Sequence, residues 1–343
     1  MAHAYHPGVN AEPRWRVDLR ADPFSIHHWS VWTGLVSLAG SGMIELHHTA
    51  QDAPAGGGLW FTATEHATGV VRTVWADISD RANDAAERGA AADTVWVRNG
   101  PSGVGLPLGY VAPMRLDRMP LRSYLAASAR LSVRSRRQRP LRATASAFRS
   151  FGDIATVASL EAPPGGDTTV LFQVRCWEPH EGGDPADRHQ VNDARAAMIR
   201  RLRHEFGPRF SGGFQRRPYA VERYADCVTD LPDDQPSYLA LVRNAGVVVA
   251  TTGLHGSLPW KLAEYTAMSR AVVAEANANA VPSSHDGVFD VYRSVDECVE
   301  RCTALLSDEA LRRERQEASR RLWREHVRPD RLVQTRLEET FGR

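Results

Sequence analysis

Thirty residues, Gly246 to Glu275, constrain the fold more than any other part of the chain. Gly246-Val247-Val248-Val249-Ala250 is an uninterrupted run of small and β-branched apolar residues, the pattern of a strand buried on both faces. Thr251-Thr252-Gly253-Leu254-His255-Gly256-Ser257 is loop chemistry. Leu258 to Arg270 reads as a helix, with Ser257 as its N-cap and Pro259 in its first turn. Ala271 to Ala274 reads as the next strand. Strand, glycine loop, helix and strand make a βαβ unit, which implies a parallel sheet.

The same loop has the chemistry of an anion site. Unpaired N–H groups at the positive end of a helix attract phosphate, and glycines let the backbone approach it. Lys261 and Glu264 are three apart and share a helix face. The ammonium suits a phosphate, and the carboxylate can accept from a ribose diol. A capped helix with an intrahelical Lys–Glu pair is the plainer alternative. Against it, a lysine in the first turn opposes the helix dipole. Composition sharpens the point. Of 42 basic residues Lys261 is the only lysine, so it marks a position where a compact ammonium is wanted and a planar guanidinium is not.

The rest of the chain repeats the alternation in two halves. In the first, strands are expected at Arg14–Leu19, Met43–Thr49, Val70–Ala76 and Asp93–Val97. Helices are expected at His28–Ala39 and Arg81–Ala92, again as parallel βαβ units. Residues 101–164 are less regular, with a helix expected over Leu121–Val133. Ala162-Pro-Pro-Gly-Gly-Asp167 reads as a linker. The second half adds a strand at Thr168–Val174. Its helices are expected at Val191–Phe206, Pro236–Asn244, Val295–Leu306, Asp308–Glu325 and Asp330–Phe341.

Several function classes are disfavoured. Basic and acidic residues number 42 and 41, a net charge of +1, which argues against a general nucleic-acid binder. The cluster Arg130, Arg134, Arg136, Arg137, Arg139 and Arg142 lacks the interleaved aromatics of a single-strand platform. It reads as a solvated loop, with contact to an anionic acceptor or membrane surface as the alternative. No apolar run reaches the length of a membrane span, and residues 1–12 lack the apolar core of a secretory signal, so a cytoplasmic protein is expected. Cys176, Cys227, Cys298 and Cys302 are expected as buried thiols, and no metal site is predicted. Gly103-x-Gly105-x-x-x-Gly109 misses the dinucleotide fingerprint by one residue, which disfavours a nicotinamide oxidoreductase. Neither a P-loop, a G-x-S-x-G elbow nor H-E-x-x-H occurs.

With Pro259, Lys261, Leu262, Glu264, Tyr265 and Val272-Val273 in this order, residues 251–275 resemble the donor-binding segment of retaining GT-B glycosyltransferases of the glycogen-synthase-like group. The resemblance extends over roughly residues 168–343. Glu264 matches the second glutamate of the family's E-x7-E pattern, a ribose contact; the first falls on Gly256. Val170-Leu-Phe-Gln-Val-Arg175 resembles the strand whose terminal arginine faces the donor diphosphate. The resemblance implies an α/β chain of GT-B type, with two Rossmann-like domains facing across a cleft and C-terminal helices packing back toward the first domain. Residues 1–164 would bind acceptor, 165–322 would bind donor, and 323–343 would cross back. It implies a nucleotide-diphospho-sugar as co-substrate, a small-molecule or glycan acceptor, retention of configuration, and no metal or other cofactor. Donor binding falls to Gly253, His255, Gly256, Ser257, Lys261 and Glu264, and cationic catalysis to Arg175 and Lys261.

In the first half, His27 and His28 follow the first strand, where ligands bind in open α/β sheets, and are candidates to donate to or deprotonate a sugar hydroxyl. His47 and His48 end the second strand and are weaker candidates of the same kind. Asp77 and Asp80 end the third and are candidates for acceptor binding, with helix capping as the alternative. Two further function classes stay open. One is a pseudo-glycosyltransferase or other sugar-nucleotide enzyme on the same fold. The other is a non-catalytic nucleotide- or sugar-binding partner protein. The oligomeric state is not legible.

Overall fold

The computed structural model describes residues 12–20, 26–48, 58–80, 91–117, 154–181 and 184–343. The helix expected at Arg81–Ala92 (apart from its last residues), that at Leu121–Val133 and the Arg130–Arg142 cluster lie outside them. The chain is mixed α/β with two sheets, one of them parallel. It divides into two compact units, Met1–Ala158 with Glu325–Arg343, and Ser159–Arg324.

The sheet of the first unit contains β1 (Trp15–Leu19), β2 (Ile44–His48), β3 (Leu59–Glu65), β4 (Val71–Asp77), β5 (Thr94–Val97) and β6 (Leu106–Pro107), in the order β2-β1-β3-β4-β5-β6. It is not the all-parallel sheet expected. β3 lies antiparallel between β1 and β4. A short turn at His66–Gly69, with Gly69 at φ 68°, returns the chain directly into β4, so no crossover helix is needed there. Tryptophan fills this core: Trp15, Trp29, Trp32, Trp60, Trp75 and Trp96 are all buried, with Trp60 stacked on Trp75 at 5.6 Å. Helix α1 (Trp29–Gly40) is buried on nearly every side, because the C-terminal helix Pro329–Thr340 covers the face turned away from the sheet. A Cβ at Gly34 would stand 2.2 Å from the Pro329 carbonyl oxygen, so glycine sets this close crossing.

The second unit is doubly wound. Strands β7 (Val170–Val174), β8 (Phe210–Phe214), β9 (Val247–Ala250), β10 (Ala271–Glu275) and β11 (Asp290–Tyr292) are all parallel, in the order β11-β10-β9-β7-β8. Helix α2 (Pro185–Phe206) joins β7 to β8; α3 (Gln235–Asn244) and α4 (Lys261–Ala267) serve the steps to β9 and β10. The path runs one way from β7 to β8 and the opposite way from β9 onward, so right-handed crossovers put α2 on one face and α3 and α4 on the other. Helix α5 (Val295–Ser307) shares the α2 face, where Met198, Ile199 and Leu202 meet Cys298, Val299 and Cys302 in one core. Helix α6 (Glu309–Leu322) packs on α4 and β10.

Two local expectations change. The 162–167 segment is no loose linker: buried Arg270 donates to the carbonyls of Pro163 and Gly165, both at 2.7 Å, and fixes it to the second unit. The β8 strand, Phe-Ser-Gly-Gly-Phe, is glycine-rich because a Cβ on Gly212 would lie 2.1 Å from the Phe172 carbonyl oxygen of β7. All four cysteines are buried free thiols. No helix of the described residues is long and apolar enough to cross a membrane.

Candidate functional site

In the second unit the sheet order reverses between β7 and β9, and there the two strands part. They pair only at Val170–Val247 and Leu171–Val248, whereas β7 continues against β8 through Val174. The Thr169 carbonyl accepts from Val247 N–H at 3.1 Å. Strand alternation therefore turns the Gln173 carbonyl to the same side, where β9 has already left. The Lys261 ammonium fills that position and donates to the Gln173 carbonyl. Its Nζ lies 4.8 Å from the Tyr238 ring centroid, a cation–π distance. Tyr238 in turn shares a 2.8 Å hydrogen bond with Tyr265. Desolvation holds the Lys261 pKa below its ordinary value, with Glu264 opposing and Arg195 reinforcing the shift. Desolvation raises Glu264, against the pull of Lys261 and a side-chain bond with Gln235.

On the α2 face the C-terminal ends of β9, β10 and β11 border a cavity of about 350 Å³. Its wall includes Asp187, Ala194 and Arg195 of α2, Thr251, Thr252, Gly253 and Gly256 after β9, and Glu275 at the end of β10. Buried Arg195 ties these parts together. Its guanidinium donates to the Arg175 carbonyl at 2.9 Å, to Thr251 Oγ1 at 3.2 Å and to the Thr252 carbonyl at 3.0 Å. Burial lowers its pKa to about 10, which leaves it cationic at neutral pH. Glu275 Oε2 accepts from the Thr252 N–H at 2.7 Å and its hydroxyl at 2.9 Å.

The glycine loop differs from the open row of amides expected. The Gly253 N–H is taken by the Ser257 carbonyl at 2.9 Å, the Ser257 N–H by the Leu254 carbonyl at 3.1 Å, and the His255 N–H by Asp187 Oδ2 at 3.2 Å. Ser257 does not cap the helix. The residue before Lys261 is Trp260, whose side chain makes no cap bond, and Pro259 and Trp260 supply carbonyls to the first turn. The loop is held rigid: Asn277 and Asn279 both donate to the Gly256 carbonyl, at 2.7 and 2.8 Å. His255 has a left-handed backbone, φ 59°, rare outside glycine, and its Nδ1 lies 3.4 Å from Asp187.

Of the expected donor residues, then, Gly253 and Gly256 line the cavity. His255 adjoins it through Asp187, and Lys261 and Glu264 form a separate cluster below α3. Arg175 follows β7, but its half-exposed guanidinium pairs with Glu181 and stacks over Trp177 at 4.6 Å. Arg195, Glu275, Thr252 and Asp187 were not anticipated. Position at a strand's C-terminal end flags Glu275 and Thr252. Nothing local distinguishes Arg195 from the other arginines of its helix.

In the first unit His27, Asp77 and Asp80 gather beside Arg98 and Asn99, which follow β5, while His28 is buried in the turn that leads into α1. Buried Arg98 donates to Asp80 Oδ1 at 2.6 Å, Asn99 to the Ser79 carbonyl at 2.7 Å, and Asp77 Oδ1 accepts from the Ser79 N–H at 3.0 Å. Desolvation lowers the His27 pKa; Asp80 raises it and Arg98 lowers it further. Asp80 is thus engaged by Arg98, and the helix it was expected to cap lies outside the described residues. His47 is exposed at the end of β2, 3.6 Å from Glu45.

The second unit's all-parallel sheet and its reversal of strand order define a doubly wound α/β domain. No protein-family model matches the chain, and no curated protein matches it. Among solved structures, a glycosyltransferase from Rickettsia africae ESF-5 aligns at a TM-score of 0.41 and 10% identity, over 78% of this chain and 70% of that one. AviGT4, a glycosyltransferase involved in avilamycin A biosynthesis, aligns at a TM-score of 0.31 and 20% identity, over 54% of this chain and 55% of that one. At such scores the functional reading rests on the residues themselves.

Proposed function

We propose that the chain is a glycosyltransferase of GT-B type that moves a sugar from a nucleoside-diphospho-sugar to a small-molecule or glycan acceptor, with retention and without a metal. The observation that carries this reading is the crevice where β7 and β9 part, with Arg195 on one face and Lys261 on the other. Ligands of open α/β sheets bind outside the strand ends where the order reverses. Fixed cations there stabilise the charge that develops on a leaving diphosphate. Lys261 keeps further N–H donors beyond the one given to Gln173. Glu264 is the ribose acceptor. Arg175 contributes its charge after exchanging its exposed partner Glu181. Ser257 shapes the loop, and Gly253, His255 and Gly256 present it to the donor. In the first unit, His27 or His28 meets an acceptor hydroxyl, and Asp77 and Asp80 help to bind the acceptor.

A thermal-shift titration with UDP, GDP, dTDP and ADP tests the reading. At least one should raise the melting temperature in proportion to the logarithm of its concentration. Stabilisation by none of them contradicts the assignment. Gly256, standing where the family has an acidic residue, favours a second reading, nucleotide-sugar binding without transfer. Product analysis with a donor panel separates the two.

A further inference from the structure

We propose that the cavity between α2 and the ends of β9–β11 is the glycosyl subsite, and that it takes an uncharged hexose rather than a uronate; this rests on the donor reading above. The volume, about 350 Å³, is near the small end of ligand pockets and suits one sugar ring rather than a whole nucleotide sugar. The lining has two characters. Val191, Ala194 and Met198 of α2 give one apolar wall, suited to the C–H face of a ring. Around them stand groups that accept or donate hydrogen bonds in fixed directions, Asp187 on α2 itself and Glu275 at the end of β10. Glu275 is oriented by its two bonds to Thr252, and Asp187 by its bonds to His255. Ionised carboxylates are acceptors only, with about four lone-pair sites each, so both can take further bonds from ring hydroxyls.

Charge selects among sugars. Arg195 and Arg293 balance Asp187 and Glu275 around the cavity. Arg195 is buried with three bonds made to main-chain and threonine oxygens, so it is not a loose counter-ion. A uronate carboxylate would add a negative charge to a balanced, partly desolvated cavity and face two fixed carboxylates. A neutral hexose brings hydroxyl donors and no charge.

Binding is measured by calorimetry with UDP, UDP-glucose and UDP-glucuronate, or with GDP, GDP-mannose and GDP-mannuronate where guanine is the preferred base. The intact protein should bind the neutral hexose conjugate about tenfold more tightly than the bare diphosphate, and the uronate conjugate no more tightly than the diphosphate. Ala194→Leu, on an exposed helix position, narrows the cavity. It should leave affinity for the bare diphosphate within about twofold and abolish the gain from the hexose. Asp187→Asn should shrink the hexose-to-uronate ratio severalfold. Equal affinity for hexose and uronate in the intact protein overturns the proposal. So does an Ala194→Leu variant that loses diphosphate and hexose conjugate by the same factor, which would make the cavity the nucleotide's. Absence of any diphosphate binding instead overturns the donor reading itself, and this subsite with it.

Discussion

Arg195 and Thr252, 57 positions apart in sequence, meet at 3.0 Å, where the guanidinium of α2 holds the carbonyl that follows β9. The same side chain holds the Arg175 carbonyl after β7. One buried cation thus fixes both edges of the switch-point crevice.

Replacing Arg195 should therefore loosen both edges at once. Arg195→Ala leaves buried carbonyls without donors, a cost of about 2–4 kcal/mol. Arg195→Lys keeps the charge but gathers its donors on one nitrogen, which cannot span the three oxygens that the guanidinium reaches through three separate nitrogens, and should recover only a minor part of that loss. Urea denaturation gives the stability, and nucleoside diphosphate titration gives the affinity, which should fall in both variants. A lysine variant with wild-type stability and affinity contradicts the clamp.

His27 should make the first unit sensitive to acid. Its folded pKa is lowered by burial, so the folded state binds fewer protons than the unfolded chain. The stability that goes with the neutral form is intact above the unfolded value, about 6.5, and is lost as pH falls through it toward the folded pKa. Asp80 and Arg98 act on the same ring in opposite senses. His27→Gln should remove this part of the slope. Unfolding free energies of both proteins at pH 7.5 and 5.5 check it: the wild type should lose more on acidification, and equal losses contradict the account.

Gly34→Ala tests the packing of the C-terminal helix on α1. The new methyl would meet the Pro329 carbonyl at 2.2 Å and Val333 Cγ2 at 2.5 Å. Helix propensity alone favours alanine by about 1 kcal/mol, but overpacking costs about 1–3 kcal/mol. A lower denaturation midpoint is expected. A raised midpoint would mean that the helix does not cross α1 at this point.

The second unit was legible because its buried strands are short apolar runs: the strands expected over Gly246–Ala250 and Ala271–Ala274 stand at Val247–Ala250 and Ala271–Glu275. β8 was missed because close approach to Phe172 demands glycines, which erase the strand signal. In the first unit β3 was missed too. It is half of a hairpin, and a parallel βαβ reading has no place for it. At the site, the glycine loop and Lys261 were legible as local chemistry. The internal closure of the loop was not, since it depends on Asp187, Asn277 and Asn279 arriving from other elements. Arg195 was invisible for the same reason.

The central claim is that the charge of Lys261, placed where β7 and β9 part, serves a bound diphosphate. The most direct test titrates UDP, GDP, dTDP and ADP into the wild type and Lys261→Arg. The ammonium meets the Gln173 carbonyl and the Tyr238 ring as a compact point charge, and a longer, planar guanidinium would carry its charge and donors elsewhere. The variant should stay folded by circular dichroism and bind its preferred diphosphate at least about tenfold more weakly, with donor turnover falling about a hundredfold or more. A folded Lys261→Arg protein with unchanged diphosphate affinity and unchanged turnover would contradict the account.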